Sequence, residues 1–317
     1  MAEPSTLRLG TRGSPLALRQ AEEVRRALEA CYPGLRAELI TIKTHGDHVK
    51  EVPLPQVGVK GIFAKEIEEA VLLGQVDLAV HSLKDLPTVL PEGLCIGAVT
   101  EREDPRDALV SRRGEGLFSL PQGARVGTSS VRRRAQLLAQ RPDLTVLPLR
   151  GNLDTRLRKL EAGEVDALVV AAAGLIRMGW EDRASEFLPF EVSLPAPGQG
   201  ALALEVRSDG EALTLLLSSL DHLPTRLATE AERAFLRRLE GGCQVPIGAF
   251  GQIEERTLRL SGFVASPEGK PIVRGSVEGP PEDPRSLGER LAERLLVEGA
   301  REVLEGIRSR LGGEGEG

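Results

Sequence analysis

Six arginines stand where a ligand with several negative charges could bind. Each follows a predicted strand or lies near a predicted strand-to-helix turn, and in α/β proteins anions bind at strand carboxyl ends and helix N-termini. A guanidinium fork also matches the geometry of carboxylates and phosphates. The six are Arg12, Arg132, Arg133, Arg150, Arg156 and Arg177. A polyanion site is therefore predicted, with solvated surface arginines as the alternative that stays open.

A carboxylate, Asp85, follows another predicted strand in the segment HSLKDLP. Beside Lys84 it can stay ionised and stabilise positive charge that develops during a reaction. An Asx-turn, or a Lys84–Asp85 ion pair without a substrate, is the alternative. His81 in the same segment is interpreted as a packed polar residue, because no second ligand stands at metal spacing, and no metal site is predicted.

The segment LEGGCQVPIG places Cys243 after two glycines that end a predicted helix. On such a constrained turn the thiol could act as a nucleophile or an attachment point, and an inert cysteine is the alternative. With Cys31 and Cys95 the chain has three cysteines, an odd number at wide spacing, which does not indicate a disulfide framework and fits a reducing cytoplasm. Nucleotide-binding signatures of the GxxxxGK(S/T) and GxGxxG types are missing from the sequence.

The composition of the 317-residue chain disfavours several classes of function. Aromatic residues make up only 3% and the net charge is −6, which argues against base stacking and against general attraction to nucleic acid. The basic run TSSVRRR keeps a nucleic-acid alternative open, although no helix-turn-helix pattern surrounds it. Because the sequence shows neither a secretory signal nor an apolar run of membrane-spanning length, a cytoplasmic protein is predicted.

The elements that carry these residues alternate between strands and helices. LRLGTR and VDLAVHS are predicted strands, and a helix is expected after Ser14, where a capping side chain precedes a proline. The pattern returns in RVGTSS, VRRRAQLLAQ, TVLPLR, LDTRLRKLEAG and DALVVAAAG. Such alternation predicts parallel sheets with helices on both faces, and residues 201–207 are expected to return a strand to the first sheet.

Segments rich in charge, proline or glycine, at 99–107 and 189–200, are expected to cross between two α/β domains. After residue 223 the pattern changes to a long amphipathic helix, three strands at 246–254, 257–265 and 271–277, and a final helix within 284–310. The predicted domains are residues 1–99 with 200–219, residues 100–199, and an α+β domain over 220–317.

Eight motifs, taken in order, show that the chain resembles the porphobilinogen deaminase (hydroxymethylbilane synthase) family. The resemblance runs over nearly the whole chain, from near Leu7 to near Glu305. The motifs are LGTRGSPLALRQA, VKGIFAKEIEEA, AVHSLKDLPT, EREDPRDAL, VGTSSVRRRAQL, LRGNLDTRL, LPAPGQGAL and LEGGCQVPIG.

The resemblance implies two α/β domains like type II periplasmic binding proteins, with the active cleft between them, and a third α+β domain with a three-stranded antiparallel sheet. A dipyrromethane cofactor is expected on Cys243 through a thioether. Four porphobilinogen molecules are then joined head to tail, each losing ammonia, and water releases hydroxymethylbilane. We therefore expect a monomeric, cytoplasmic transferase of tetrapyrrole biosynthesis whose partner is porphobilinogen, with neither nucleic acid nor a membrane.

The same resemblance assigns roles to individual residues. Asp85 is the catalytic residue, holding pyrrole N–H groups and stabilising the cation left by ammonia. The cofactor-binding set is Cys243, Arg132, Arg133, Lys84, Thr128, Ser130 and Asp85. The substrate-binding set is Arg12, Ser14, Arg150, Arg156, Arg177 and Gln199. Residues 45–61 are polar and irregular and are expected to form a lid that contains Lys60, with Val59 standing where the family commonly has glycine. Phe63, just past the lid, could contact the pyrroles, with core packing as the favoured alternative.

A second class of function, a two-lobed anion-binding receptor, would share the predicted fold and the arginines. The segment GGCQVPIG together with Asp85 separates the two classes, because a receptor needs neither a tethered thiol nor a catalytic acid. The sequence therefore favours the transferase.

Overall fold

The computed structural model describes residues 6–44, 64–240 and 245–313. The chain divides into two compact units, Met1–Asp104 with Gly200–Arg226 and Pro105–Gln199 with Leu227–Gly317. The chain crosses between the units three times: the first two crossings fall within segments where the sequence predicts one, and the third lies between Arg226 and Leu227. The three domain boundaries given above stay a prediction.

The strands and helices of the described residues are numbered in chain order. The strands are β1 (Leu7–Arg12), β2 (Ala37–Ile42), β3 (Leu78–Ser82), β4 (Leu94–Val99), β5 (Asp107–Ser111), β6 (Arg125–Gly127), β7 (Thr145–Leu147), β8 (Ala167–Ala171), β9 (Glu186–Phe187), β10 (Leu202–Arg207), β11 (Ile247–Glu254), β12 (Thr257–Ala265) and β13 (Ile272–Gly279). The helices are α1 (Pro15–Cys31), α2 (Lys65–Leu72), α3 (Val131–Gln140), α4 (Leu153–Glu161), α5 (Ala172–Met178), α6 (Glu211–Leu217), α7 (Leu223–Arg238), α8 (Pro284–Leu295) and α9 (Arg301–Gly313). None of the helices in the described ranges has the length and apolar character needed to cross a membrane.

Two five-stranded sheets share one arrangement. The first has the order β2-β1-β3-β10-β4 and the second the order β7-β6-β8-β5-β9. In each, four strands run in the same direction, and the fourth strand in the order is antiparallel to both of its neighbours. The return of residues 201–207 to the first sheet, as β10, is confirmed.

The prediction of parallel sheets is correct for the first three strands of each sheet, but both sheets are mixed. Each antiparallel strand, β10 or β5, comes directly after a crossing of the chain between the units. A strand that arrives this way is not the second strand of a β-α-β unit, so nothing requires it to run parallel.

Helix α1 illustrates how local sequence produces these elements. Ser14 Oγ accepts a hydrogen bond from the Ala17 N–H at 3.3 Å, and a proline occupies the first helical position. The buried face of the helix, with Ala21, Val24 and Leu28, packs into the core of the first unit. Capping and apolar spacing therefore place Ser14 at the carboxyl end of β1, as predicted.

The C-terminal residues form the predicted α+β module. Strands β11, β12 and β13 make an antiparallel sheet, and α7 and α8 pack on it around Phe235 and Leu291. The predicted final helix is divided by a wider turn over Leu296–Ala300, where Gly299 has a φ of 110°. With two α/β domains and this module, the predicted fold class is confirmed.

Candidate active site

The first unit brings several predicted residues to the carboxyl edge of its sheet. Arg12 ends β1, and a single 3-10 turn, Leu83–Asp85, follows β3. Because β1 and β3 are parallel neighbours, both segments reach the same edge of the sheet. Lys84 and Asp85 both belong to this turn, and Asp85 is exposed.

One pocket of the first unit contains three of the predicted site residues. Arg12, Ser14 and Asp85 line it. The pocket is also lined by Gln20, His81 and Ser82, among others.

The second unit gathers its predicted residues at the corresponding edge of the second sheet. Strands β6, β7 and β8 run parallel, so the loops that follow them meet at one edge. Thr128 and Ser130 follow β6, Arg150 follows β7, and Arg177 lies in the last turn of α5, after β8. Ser129 Oγ donates a hydrogen bond to the Leu149 carbonyl at 3.0 Å, which joins the first two loops.

Local hydrogen bonds fix the polar residues of these loops. Ser130 caps α3 by accepting a hydrogen bond from the Arg133 N–H at 3.4 Å, and the Ser130 N–H donates to Thr128 Oγ1 at 3.2 Å. Arg156 Nε donates to the Gly151 carbonyl at 2.8 Å. The loops therefore have a defined backbone around the N-terminus of α3, the end of a helix that favours anions.

Arg132 and Arg133 surround a buried carboxylate that the sequence analysis did not single out. Arg132 Nη1 and Nη2 donate to the two carboxylate oxygens of Asp107 at 2.8 and 3.1 Å. Arg133 Nε donates to the same carboxylate at 2.9 Å. Asp107 has no exposed surface, and both arginines are buried.

Gln199 belongs to the same buried group. Its side-chain amide donates to Asp107 at 3.0 Å and to the Pro105 carbonyl at 2.7 Å, and its carbonyl oxygen accepts from Arg133 Nη2 at 3.4 Å. Ser193 Oγ donates to Asp107 at 2.8 Å. Gln199 therefore fixes the direction of the Arg133 fork through direct contact.

The charges of the two arginines dominate the ionisation of Asp107. Burial alone would raise the pKa of Asp107, but the charges of Arg132 and Arg133 and the hydrogen bonds that they donate hold this pKa well below its usual range. The carboxylate is therefore ionised at neutral pH. It balances one of the two positive charges, so these three side chains together carry one net positive charge.

Three predicted residues fall outside the described part of the chain. They are the cysteine assigned to the cofactor, Cys243, and the two lid contacts, Lys60 and Phe63. Their roles stay predictions from the sequence.

Two family models match the chain across almost all of its length. The model described as "Porphobilinogen deaminase, dipyromethane cofactor binding domain" matches residues 7–214, and the model described as "Porphobilinogen deaminase, C-terminal domain" matches residues 226–297. The chain belongs to the porphobilinogen deaminase family.

Curated relatives in this family are similar along the whole chain. The porphobilinogen deaminase of Geotalea uraniireducens (strain Rf4) is 54% identical over 299 residues, which are 94% of this chain and 94% of the relative. That of Carboxydothermus hydrogenoformans is 51% identical over 300 residues, covering 95% of this chain and 96% of the relative. Among solved structures, the periplasmic aliphatic sulphonate binding protein SsuA from Escherichia coli shows 17% identity and a TM-score of 0.40, covering 75% of this chain and 71% of that chain.

Membership in the porphobilinogen deaminase family confirms the resemblance drawn from the eight motifs. It confirms a transferase of tetrapyrrole biosynthesis that joins porphobilinogen head to tail, and a dipyrromethane cofactor. It also favours the enzyme over the anion-binding receptor that was the second class considered.

The donor set around α3 fits the cofactor expected of a porphobilinogen deaminase. The pyrroles of a dipyrromethane built from porphobilinogen bear acetate and propionate groups, and two buried guanidinium groups that share a single carboxylate leave a positive charge to be balanced. Thr128 and Ser130 lie at the adjoining helix N-terminus. A carboxylate brought to this edge would therefore find cations and hydrogen-bond donors.

A further group of buried ionisable side chains lies in the first unit of this porphobilinogen deaminase. His81 Nε2 lies 3.1 Å from Glu205 Oε2, and Glu205 has no exposed surface. Glu68, on α2, is also buried. Burial and the charge of Glu205 raise the pKa of Glu68 to about 7, against an opposing effect of His81.

Glu68→Gln is expected to change the pH dependence of stability. The pKa of Glu68 in the folded state, about 7, exceeds its ordinary value of 4.5, so its protonated form favours folding. This stability is fully present below about pH 4.5 and is lost as the pH rises through about 7. Relative to wild type, E68Q should therefore gain unfolding free energy across this window, by up to about 3 kcal/mol.

Urea unfolding at about pH 5 and about pH 8 measures this difference. Glu69→Gln is the control, because Glu69 is the next residue on the same helix and is exposed. If wild type and E68Q lose stability in parallel between the two pH values, the buried Glu68 is not the group responsible.

Proposed function

We propose that the pocket of the first unit holds the reacting pyrrole of porphobilinogen, with Asp85 as the catalytic carboxylate. The observation that carries this proposal is the meeting of Arg12, Ser14 and Asp85 in one pocket of a chain from this family. Arg12 supplies a fork for a substrate carboxylate, and Ser14 a hydroxyl at the start of α1. Asp85 accepts hydrogen bonds from pyrrole N–H groups.

Asp85 also stabilises the charge that appears when ammonia leaves. Breaking the C–N bond of the substrate's aminomethyl group leaves a positively charged methylene-pyrrole. A carboxylate already held at the edge of a rigid sheet stabilises this cation without having to reorganise in the transition state. Lys84, adjacent in the same turn, is assigned to cofactor carboxylates.

The second unit supplies cations for the carboxylates of the growing chain. Arg132 and Arg133 bind the cofactor, with Thr128 and Ser130 as neighbouring hydrogen-bond donors. Gln199, assigned to the substrate from the sequence, also contacts Arg133 and Asp107, and these contacts support a second role in orienting Arg133. When bound, the dipyrromethane supplies the pyrrole onto which the first porphobilinogen is joined. The remaining substrate-binding arginines are Arg150, Arg156 and Arg177.

A monomeric state, a cytoplasmic location, and the absence of nucleic-acid or membrane partners stay predictions. The net charge of −6 supports the expectation that the protein does not bind nucleic acid.

Cys243→Ala is expected to abolish covalent attachment of the cofactor. The purified wild-type protein should exceed the mass of its chain by two pyrrole units, because the thioether survives denaturation, and C243A should show the mass of the chain alone. Intact-protein mass spectrometry measures both.

Cys31→Ala provides the matched control, since Cys31 is a free and exposed cysteine. An adduct retained in C243A would move the attachment site to another residue. A wild-type protein without added mass, even after incubation with porphobilinogen, would contradict the proposed function.

A further inference from the structure

The pocket that holds Asp85 is backed by three ionisable side chains for which the proposed reaction has no role so far. His81 lies on β3 and Glu205 on the neighbouring β10, where Ala203 is the direct partner of His81. Glu205 is two residues beyond Ala203, so its side chain is on the same face of the sheet as His81. Helix α2, with Glu68, packs on both strands.

The two carboxylates of this group, Glu68 and Glu205, are poorly solvated. Among the described residues, neither carboxylate oxygen of Glu205 has a hydrogen-bond partner, and the same holds for Glu68 Oε1. A fully buried carboxylate without donors is costly as an unpaired anion. Protonated His81, at 3.1 Å, can balance the charge of Glu205, so the group is stable only when it retains at least one proton.

Other charged groups around this cluster are arranged on several elements. Glu69 is the next residue on α2, and its charge acts on Glu68. On β4, the charges of Glu205 and Arg226 both act on Cys95. On the pocket side the charged residues are Arg12 and Asp85. Because burial and the charge of Glu205 raise the pKa of Glu68 to about 7, Glu68 gains or loses a proton near neutral pH.

His81 connects this buried group with the reaction space. Its side chain lines the same pocket as Asp85 and Arg12, while its Nε2 faces Glu205. An imidazole held by a carboxylate at one nitrogen can exchange a proton at the other, and such a pair is a common proton carrier in enzymes.

Each condensation requires a group of this kind. When the aminomethyl group is an ammonium, its C–N bond breaks with both electrons going to nitrogen, and neutral ammonia leaves. The free α-carbon of the pyrrole being extended then forms the new C–C bond with its ring electrons. Its C–H bond must break next, returning two electrons to the ring and releasing one proton.

We propose that His81 is the proton carrier of this pocket, taking the α-carbon proton at Nδ1 and passing it to the departing ammonia, which leaves as ammonium. Glu205 holds the ring, Glu68 adjusts the proton content of the group, and Asp85 remains an anion facing the substrate cation. The exposed carboxylate of Asp85 thus faces the substrate cation, while the buried carboxylates of Glu205 and Glu68 support the proton carrier. This inference rests on the proposed function of the pocket.

His81→Asn tests the proposal in the holoenzyme. We expect kcat to fall by about 10²-fold with little change in KM, because general acid–base assistance is lost while binding groups remain. With porphobilinogen deuterated at its free α-carbon, H81N should show a larger primary isotope effect than wild type, since breaking the C–H bond becomes slower. Loss of packing alone would not enlarge that isotope effect.

A second variant keeps the test independent of whether H81N folds. In E68Q the pH dependence of kcat near neutrality should flatten. In the resting protein, the carboxyl ¹³C signal of Glu68 should titrate near pH 7, and the ring ¹⁵N signals of His81 should respond to that change in wild type but not in E68Q. His222→Asn is the matched control, because His222 bonds to Thr225 Oγ1 and is not among the residues lining the pocket.

The outcomes separate this inference from the function on which it rests. If wild type is active, the proton role alone is overturned by either of two results. One is an H81N variant that retains the wild-type kcat and isotope effect, and the other is an E68Q variant in which the His81 ring signals respond to pH as they do in wild type. Wild type that carries no pyrrole adduct and consumes no porphobilinogen overturns both. A reduced kcat with an enlarged isotope effect in H81N, and a flattened profile in E68Q, support the proposal.

Discussion

Asp85→Asn is expected to lower kcat by about 10³-fold, while the fold and the covalently bound cofactor remain. Asparagine keeps the shape of the side chain but removes the negative charge that opposes the cation left by ammonia. Losses of this size follow when one preorganised electrostatic group is removed from an active site. The side chain is exposed in its pocket, so the substitution buries no unpaired group.

Steady-state kinetics and intact-protein mass together measure this effect. Asp209→Asn is the control, since Asp209 also belongs to the first unit but is 80% exposed and pairs with Arg207 at 3.3 Å. It should leave kcat unchanged. If D85N turns over porphobilinogen at the wild-type rate with its cofactor attached, Asp85 is not the catalytic carboxylate.

Asp107→Ala is expected to lower the free energy of unfolding by about 3–5 kcal/mol, because it leaves buried cations without their counter-charge. Arg132 and Arg133 both donate to this carboxylate, and all three side chains are buried. Since the folded-state pKa of Asp107 is lowered, its stabilising effect is present above the pKa of an unfolded aspartate and is lost only at strongly acidic pH. Urea unfolding at neutral pH measures the loss.

Asp143→Ala offers a matched comparison. Asp143 pairs with Arg141 at 2.7 Å, but its side chain is 26% exposed. Surface pairs contribute about 1 kcal/mol or less. Equal destabilisation by the two substitutions would mean that burial of the Asp107 group contributes nothing beyond an ordinary ion pair.

Local structure was largely predictable because it depends on residues close together in the sequence. The run VRRRAQLLAQ predicts a helix after a serine cap, and α3 spans Val131–Gln140 with Ser130 as its cap. In DALVVAAAG the prediction extended the strand too far, since β8 ends at Ala171 and α5 begins at Ala172. A continuous apolar run has no period, so it cannot show where a buried strand becomes a buried helix.

Buried charge was not predictable, because its partners are distant in the sequence. Asp107 stands at the end of the charged segment 99–107, which the sequence analysis interpreted as a crossing between domains. Its partners Arg132 and Gln199 are 25 and 92 residues away. The available signal was an acid directly before the apolar residues of β5, and Glu205 within β10 gives the same signal. An acid inside an apolar strand needs a partner, and that partner is found only in the folded chain.

The carboxylate of Glu232 determines what would follow from losing the C-terminal module. It has no exposed surface and accepts hydrogen bonds from two backbone N–H groups, that of Gly198 at 2.6 Å and that of Gly251 at 2.7 Å. The backbone of the module also packs closely against the segment before Gly198. At Gly248 an added Cβ atom would clash with the carbonyl oxygens of Leu194 and Pro195. In a truncated chain that ends before α7, the Gly198 N–H would therefore lose its acceptor, and the carbonyls of Leu194 and Pro195 would lose the backbone that packs against them. Proteolytic removal of the module would compromise the second α/β domain as well.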